Sequence, residues 1–327
     1  MRKKGMSVNH EAIAATRRVL DESFARLATS IENGAREASQ DEFDEALAMS
    51  ARIGATDLVQ KWVSIGANPL AKNSLALKEA AEHGHLECVK LLLPLSDPLS
   101  GECFALKMAC HGQHRECAEL LAKFASGPQS ESFPLRLAAS CGWTSMVQEL
   151  IGRSNPADCD SDALYYAAKN GHIDCVELLL PLSNPKAVGS RALLGAAREG
   201  RLDCVQALLG VSCEESRRWR ALREAAWGEK SACIAELLPL ASAPEEIEEA
   251  LFVAAKLGSM KCVQLLISRS ALSLSGPPSA KGVSASTVAR EGGHVAIAEL
   301  LGVEMERRIL EKAASAGSTG GAKLGRL

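Results

Sequence analysis

A chain of 327 residues with 47% apolar side chains, 24% charged side chains and a net charge of −3 is a folded polypeptide without polyelectrolyte character, so a nucleic-acid partner would need a local basic patch, and the run Arg217-Arg218-Trp219-Arg220 is too short for one. Mean hydropathy is zero, and no window approaches 18 consecutive apolar residues, which predicts no membrane span. Only 4% of residues are aromatic, so Leu, Ala, Val and Cys must fill the core.

The N-terminus opens on Arg2, Lys3 and Lys4, as a secretory leader would, but Asn9-His10-Glu11 comes next and Arg17-Arg18 interrupts the next apolar stretch. No leader is predicted. Ile13, Leu20, Phe24, Leu27 and Ile31 share one helical face, so residues 1–45 are expected to carry a helix that covers the exposed flank of the next helices in the chain.

From there one leucine recurs: Leu47, Leu77, Leu106, Leu135, Leu164, Leu193, Leu222 and Leu251, first 30 and then 29 residues apart. A second apolar slot lies eleven residues after each, at Leu58, Cys88, Cys117, Met146, Cys175, Cys204, Cys233 and Cys262. Between them stand small pairs such as Ala80-Ala81 and Ala167-Ala168, then a glycine, as at Gly84 and Gly171. After the slot comes a leucine block, as in Leu178-Leu179-Leu180. Each unit reads as a short helix, a glycine turn, a second helix and a loop ended by Ser96-Asp97-Pro98 or Ser183-Asn184-Pro185. Such a pair cannot bury its apolar face alone, so the units must stack, and a stacked array escapes the size limit of a single core.

Gln113 and Glu229 occupy the glycine slot in two units, with Gly112 and Gly228 one residue earlier. A last unit, Ser286 to Leu301, comes after a surplus loop, Ser270 to Ser284, which contains Gly276-Pro277-Pro278. Past Gly302, Met305, Ile309 and Leu310 suggest a closing helix over 303–313, and Gly317-Ser318-Thr319-Gly320-Gly321 within 314–327 reads as a flexible tail.

The string Gly84-His85-Leu86-Glu87-Cys88-Val89-Lys90-Leu91-Leu92-Leu93 resembles the second-helix signature of ankyrin repeats, and Gly171 to Leu180 matches it again. The resemblance covers about residues 46–302 and implies an all-α, ankyrin-type helix-turn-helix repeat solenoid of about nine repeats. The family unit usually has 33 residues and opens on Thr-Pro-Leu-His. Here the unit has 29, and only the leucine survives, as in Ser190-Arg191-Ala192-Leu193. The β-hairpin fingers are therefore predicted to be truncated or absent.

The resemblance further implies that side chains one, two and five residues after each anchor leucine face a concave groove. The binding candidates there are Tyr165, Tyr166, Lys169, Arg198, Arg223, Trp227, Phe252 and Lys256; the earlier repeats place Lys78, Glu79, Glu82, Lys107, Met108 and His111 in the same positions. Trp219, read as part of a connecting loop Arg217 to Arg220, is a further candidate. Aromatic residues and arginine are the usual energetic anchors of protein interfaces. In such families a histidine after the turn glycine, here His85, His172 or His294, ties the turn by hydrogen bonds.

Cys110-His111-Gly112-Gln113-His114-Arg115-Glu116-Cys117 offers four zinc-type ligands in eight residues. Cys117, however, belongs to the apolar slot, His114 aligns with the turn histidines, and Cys110 takes an alanine position, so no metal is assigned. Six slot cysteines stand one per repeat, with sulfurs about 10 Å apart on the usual helix spacing, too far for disulfides. An odd total of eleven cysteines suits reduced thiols in the cytoplasm. Cys103, Cys159 and Cys213 fall in predicted loops. With no nucleophile elbow, phosphate loop or His-Glu-x-x-His motif, no catalytic residue and no cofactor are expected.

The reading is a cytoplasmic scaffold-type module, monomeric, that binds a protein partner through its concave helical face, without nucleic acid or membrane. Two alternatives stand beside it. One is an effector or inhibitor delivered into another cell, with the tail as transport signal; the other is an enzyme using a loop cysteine such as Cys213.

Overall fold

The structure, a computed structural model, describes residues 2–32, 39–125, 132–212, 218–241, 244–269 and 284–320. The chain divides into two compact units, Met1–Asn155 and Pro156–Leu327.

In the first unit, α1 (Arg2–Glu32) precedes four helix pairs. They are α2 (Gln40–Arg52) with α3 (Thr56–Ser64), α4 (Ala71–Glu82) with α5 (Leu86–Leu92), α6 (Ser100–His111) with α7 (Arg115–Ala125), and α8 (Phe133–Cys141) with α9 (Thr144–Ile151). The second unit holds five: α10 (Asp158–Asn170) with α11 (Ile173–Leu179), α12 (Ala187–Glu199) with α13 (Leu202–Ser212), α14 (Arg218–Trp227) with α15 (Ser231–Leu237), α16 (Pro244–Leu257) with α17 (Met260–Arg269), and α18 (Ala285–Glu291) with α19 (Val295–Gly320). Among the described residues there are thus nine pairs and no strand, so the hairpin fingers are absent there. Within each unit first helices stack on first helices and second on second, in chain order.

The recurring residues form the core. Every anchor leucine is at most 2% exposed, and the slot residues Leu58, Cys88, Cys117, Met146, Cys175, Cys204, Cys233 and Cys262 match it. The alanine pairs are fully buried, which lets successive first helices approach closely. In three repeats a Leu-Pro-Leu 3-10 turn (Leu93–Leu95, Leu180–Leu182, Leu238–Leu240) ends the second helix, since proline cannot extend the helical ladder.

The connection between repeats is compressed by a left-handed turn. Residues 72–74, 101–103, 159–161 and 188–190 each supply three consecutive residues of positive φ at the start of a first helix. Such backbone costs roughly 1–2 kcal/mol per non-glycine residue. A polar side chain three residues before the anchor leucine ties this turn to the next connection. Asn68 N–H donates to Asp44 Oδ1 (2.7 Å), Asp97 N–H to Ser74 Oγ (3.0 Å), Asn155 N–H to Ser132 Oγ (2.9 Å) and Asn184 N–H to Ser161 Oγ (2.8 Å). In return Ser96 and Ser183 donate to the carbonyls of Pro69 and Pro156.

Cys103 and Cys159 stand in these left-handed turns between repeats, where loops are expected, and Cys103 is buried. Trp219, expected in a connecting loop, lies in helix α14. Cys213 and the surplus loop at 270–283 lie outside the described residues.

At the chain ends, Leu20 of α1 is buried, and Phe24 meets the fully buried Trp62 of α3 edge-on, with ring centroids 5.4 Å apart. Ile13 is exposed, and the side chains of Leu27 and Ile31 lie outside the described residues. Helix α19 runs unbroken through Gly302, so the boundaries expected at 303 and 314 fall inside it. Arg308 fastens it by donating from Nη2 to the Ile267 carbonyl (2.9 Å).

Candidate functional site

Helical periodicity fixes what a first helix can offer. The anchor leucine and the residues three and four beyond it point inward; those one, two and five beyond it emerge between. In α10, Leu164, Ala167 and Ala168 are buried while Tyr165, Tyr166 and Lys169 are partly exposed. The same alternation places Arg198 on α12, Arg223 and Trp227 on α14, and Phe252 and Lys256 on α16, all within the second unit. Trp227, 43% exposed, is the most open aromatic of the set.

Tyr165 and Tyr166 touch edge to face, centroids 5.0 Å apart. The Arg191 guanidinium lies 3.8 Å from the Tyr165 ring centroid and the Lys169 ammonium 5.9 Å from it. Arg191 is itself aimed by Asp162, Nη1 to Oδ1 at 2.7 Å. On α12 a Cβ at Gly195 would come within 2.9 Å of Tyr165 Cε2, so the glycine makes room for the ring. Tyr165 is therefore partly committed to packing between repeats. Sequence reasoning missed Arg191, which lies before its anchor leucine, and Gly195, which holds an expected position but has no side chain to offer.

Further along, glutamates bridge the cations. Arg198 and Arg223 both approach Glu224, at 3.7 and 3.6 Å, and Arg223 reaches Glu249 at 3.7 Å. The Arg223 guanidinium also lies 5.2 Å from the Trp219 ring centroid, which joins Trp219 to this face. Arginine over indole is a favourable contact that keeps both groups near the surface. The face combines aromatic rings with oriented guanidinium groups, a chemistry for recognition; it brings no nucleophile and general base together.

The family model described as ankyrin repeats (three copies) matches residues 46–132 and 135–218, more than half of the chain. The chain belongs to the ankyrin repeat family. Among solved structures it is similar to the human ASB11 ankyrin repeat domain, 16% identical over 78% of this chain and 96% of that one, with a TM-score of 0.38. No curated protein matches it. Ankyrin repeats are generally protein–protein interaction modules.

The ankyrin turns are tied from one repeat to the next. His85 Nε2 lies 2.9 Å from the Arg52 carbonyl, and its ring covers Gly54, where a Cβ would fall 2.5 Å from Nδ1. Burial lowers the His85 pKa, and because the Arg52 carbonyl oxygen can only accept, Nε2–H is the donor. Arg201 makes the equivalent bond to the Lys169 carbonyl (3.3 Å), and the His294 ring covers Gly258. His172 takes the same N-cap place on α11. Where the glycine is displaced, Gln113 and Glu229 adopt the left-handed angles themselves, with φ of 59° and 58°. Gly228 then provides clearance: a Cβ there would lie 1.8 Å from the Arg198 carbonyl oxygen.

The slot cysteines behave as small apolar groups. Burial pushes the Cys117 and Cys204 thiols up to about 11 and raises Cys88, Cys233 and Cys262 as well. The four zinc-type ligands of residues 110–117 do not converge: Cys117 is in the slot, the His114 ring lies over Gly84, and Cys110 faces Cys141. Glu79, Glu82 and His83 on α4 bring ligand atoms within 4.8 Å of one another. Arg52 approaches the Glu79 carboxylate at 3.8 Å and His83 Nδ1 contacts the Glu79 carbonyl at 3.0 Å, so this group has the contacts of ordinary helix surface.

Proposed function

We propose that the chain is a protein-binding module and not an enzyme, and that its partner lies across the first helices α10, α12, α14 and α16, on the concave side of the second unit. One observation carries this reading: the buried positions of these helices repeat, while the emergent ones do not and collect both tyrosines of the chain, Trp227 and several cations, with Trp219 beside Arg223. Aromatic and arginine side chains supply the largest share of binding energy at protein interfaces. In this reading residues 46–302 form the binding array, α1 and the end of α19 cover its flanks, and the reduced thiols suit the cytoplasm.

The test replaces Tyr166 and Trp227 together with alanine. Both side chains are at least partly exposed, so circular dichroism and the melting midpoint should stay close to those of the parent. Partners captured by the parent chain and identified by mass spectrometry should be lost from the double variant. An unchanged capture profile would refute the assignment of this face.

A further inference from the structure

The fourth residue after the anchor leucine is alanine in seven of the eight regular repeats, as at Ala81, Ala139 and Ala168, and each is fully buried. Helix α6 alone departs, with Cys110 at 4% exposure. The side chain that meets it is also a thiol. Cys141, the last residue of α8, is partly exposed and donates its S–H to the Cys110 carbonyl oxygen at 3.7 Å. The two thiols also hydrogen-bond to each other. Oxidation would join the two sulfurs at the disulfide length of about 2.05 Å.

We propose that Cys110 and Cys141 are a redox-modification site: a dithiol that peroxide converts to a disulfide joining α6 to α8. The two sulfurs have different roles. The hydrogen bond from Cys110 holds the Cys141 thiol below its ordinary pKa, while the same bond and then burial push Cys110 up. Cys141, lower in pKa and reachable from solvent, is the nucleophile; Cys110 resolves it. The Cys141 thiolate attacks hydrogen peroxide, forming an S–O bond as the O–O bond breaks and hydroxide leaves. The Cys110 sulfur then attacks the sulfenic sulfur, forming the S–S bond and releasing water, with its proton taken up by the departing oxygen. Two thiols give up two electrons and one peroxide becomes two waters.

The slot cysteines lack this arrangement. Burial raises the pKa of Cys88, Cys117 and Cys233, and no neighbouring thiol lowers any of the three. The disulfide would fix the third and fourth repeats of the first unit to each other.

The experiment treats the reduced full chain with a small excess of hydrogen peroxide, quenches with catalase, alkylates in denaturant and maps tryptic peptides. Residues 108–115 and 137–153 should be recovered as one linked species two hydrogens lighter than their sum, with Cys88, Cys117 and Cys233 alkylated as free thiols. Cys110→Ala restores the alanine of the other repeats and so keeps the fold. In that variant Cys141 should be trapped by dimedone as its sulfenic acid adduct, and Cys141→Ser should leave Cys110 unoxidised. Peptides 108–115 and 137–153 recovered apart after the peroxide is consumed would overturn the proposal. So would an intermolecular disulfide as the main product, or equal oxidation of the slot cysteines.

Discussion

Asn184 N–H donates to Ser161 Oγ across 2.8 Å, so the end of one repeat is held by a hydroxyl that belongs to the start of the same repeat's first helix. Ser161 is 2% exposed and has a φ of 62°, a left-handed angle that disfavours a Cβ. Ser161→Ala removes the acceptor and keeps the strain, and should cost about 1–2 kcal/mol in urea unfolding. Ser161→Gly removes the acceptor but relieves the strain, so its loss should be smaller. Alanine as stable as serine would show that this hydrogen bond carries no net stability.

The slot cysteines are apolar by environment, which sets the order of their replacements. Cys233 is fully buried, and burial raises its thiol pKa. Cys233→Ser places a hydroxyl there without a partner and should destabilise by about 1–3 kcal/mol. Cys233→Ala removes only the sulfur and should cost less. Calorimetry of both variants beside the parent gives the order directly, and a thiol reagent should label Cys233 only after the chain unfolds.

Two glycines separate clearance from flexibility. Gly210 sits near the end of α13 with no atom within 4 Å of a built Cβ, whereas the Gly228 position lies 1.8 Å from the Arg198 carbonyl oxygen. Gly210→Ala should raise stability by about 0.5–1 kcal/mol, because alanine loses less backbone entropy on folding. Gly228→Ala must push α12 and α14 apart and should lower the melting midpoint. Equal effects would refute the clearance argument.

The parts of the fold legible in the sequence are those that recur at one residue spacing. Leu164, Cys175 and Ala167-Ala168 announce themselves because burial demands the same kind of side chain in each repeat. A serine three residues before the anchor recurs in half of the eight repeats, at Ser74, Ser132, Ser161 and Ser190, yet it reads as ordinary turn chemistry. Its function depends on a backbone N–H 23 residues away. The left-handed turn was illegible for a related reason: residues such as Lys72, Asn73 and Asp160 adopt it without glycine. On the candidate face, the family resemblance singled out Tyr165 and Trp227, but the Arg191 guanidinium over Tyr165 arises from side-chain reach between α10 and α12, which spacing does not encode.

The last helix supplies a pH dependence with a defined sign. Glu304 accepts from Arg307 Nη2 at 2.6 Å and from Arg308 Nε at 2.7 Å, and these partners, Arg307 first, lower its pKa to about 2. A carboxyl with a folded pKa below its unfolded value stabilises the fold above the unfolded value, near 4.3, and loses that contribution as pH falls through the folded value. The Glu304 side chain is 15% exposed, but Arg307 is 53% exposed, so water screens the pair and the gain should not exceed about 1 kcal/mol. Glu304→Gln should therefore be less stable than the parent at pH 7 by up to that amount, with the gap closing between roughly pH 4.5 and pH 2. Parallel thermal melts across this range measure it. A gap that is constant with pH would mean that Glu304 contributes through packing and its hydrogen bonds alone, with no share from its charge.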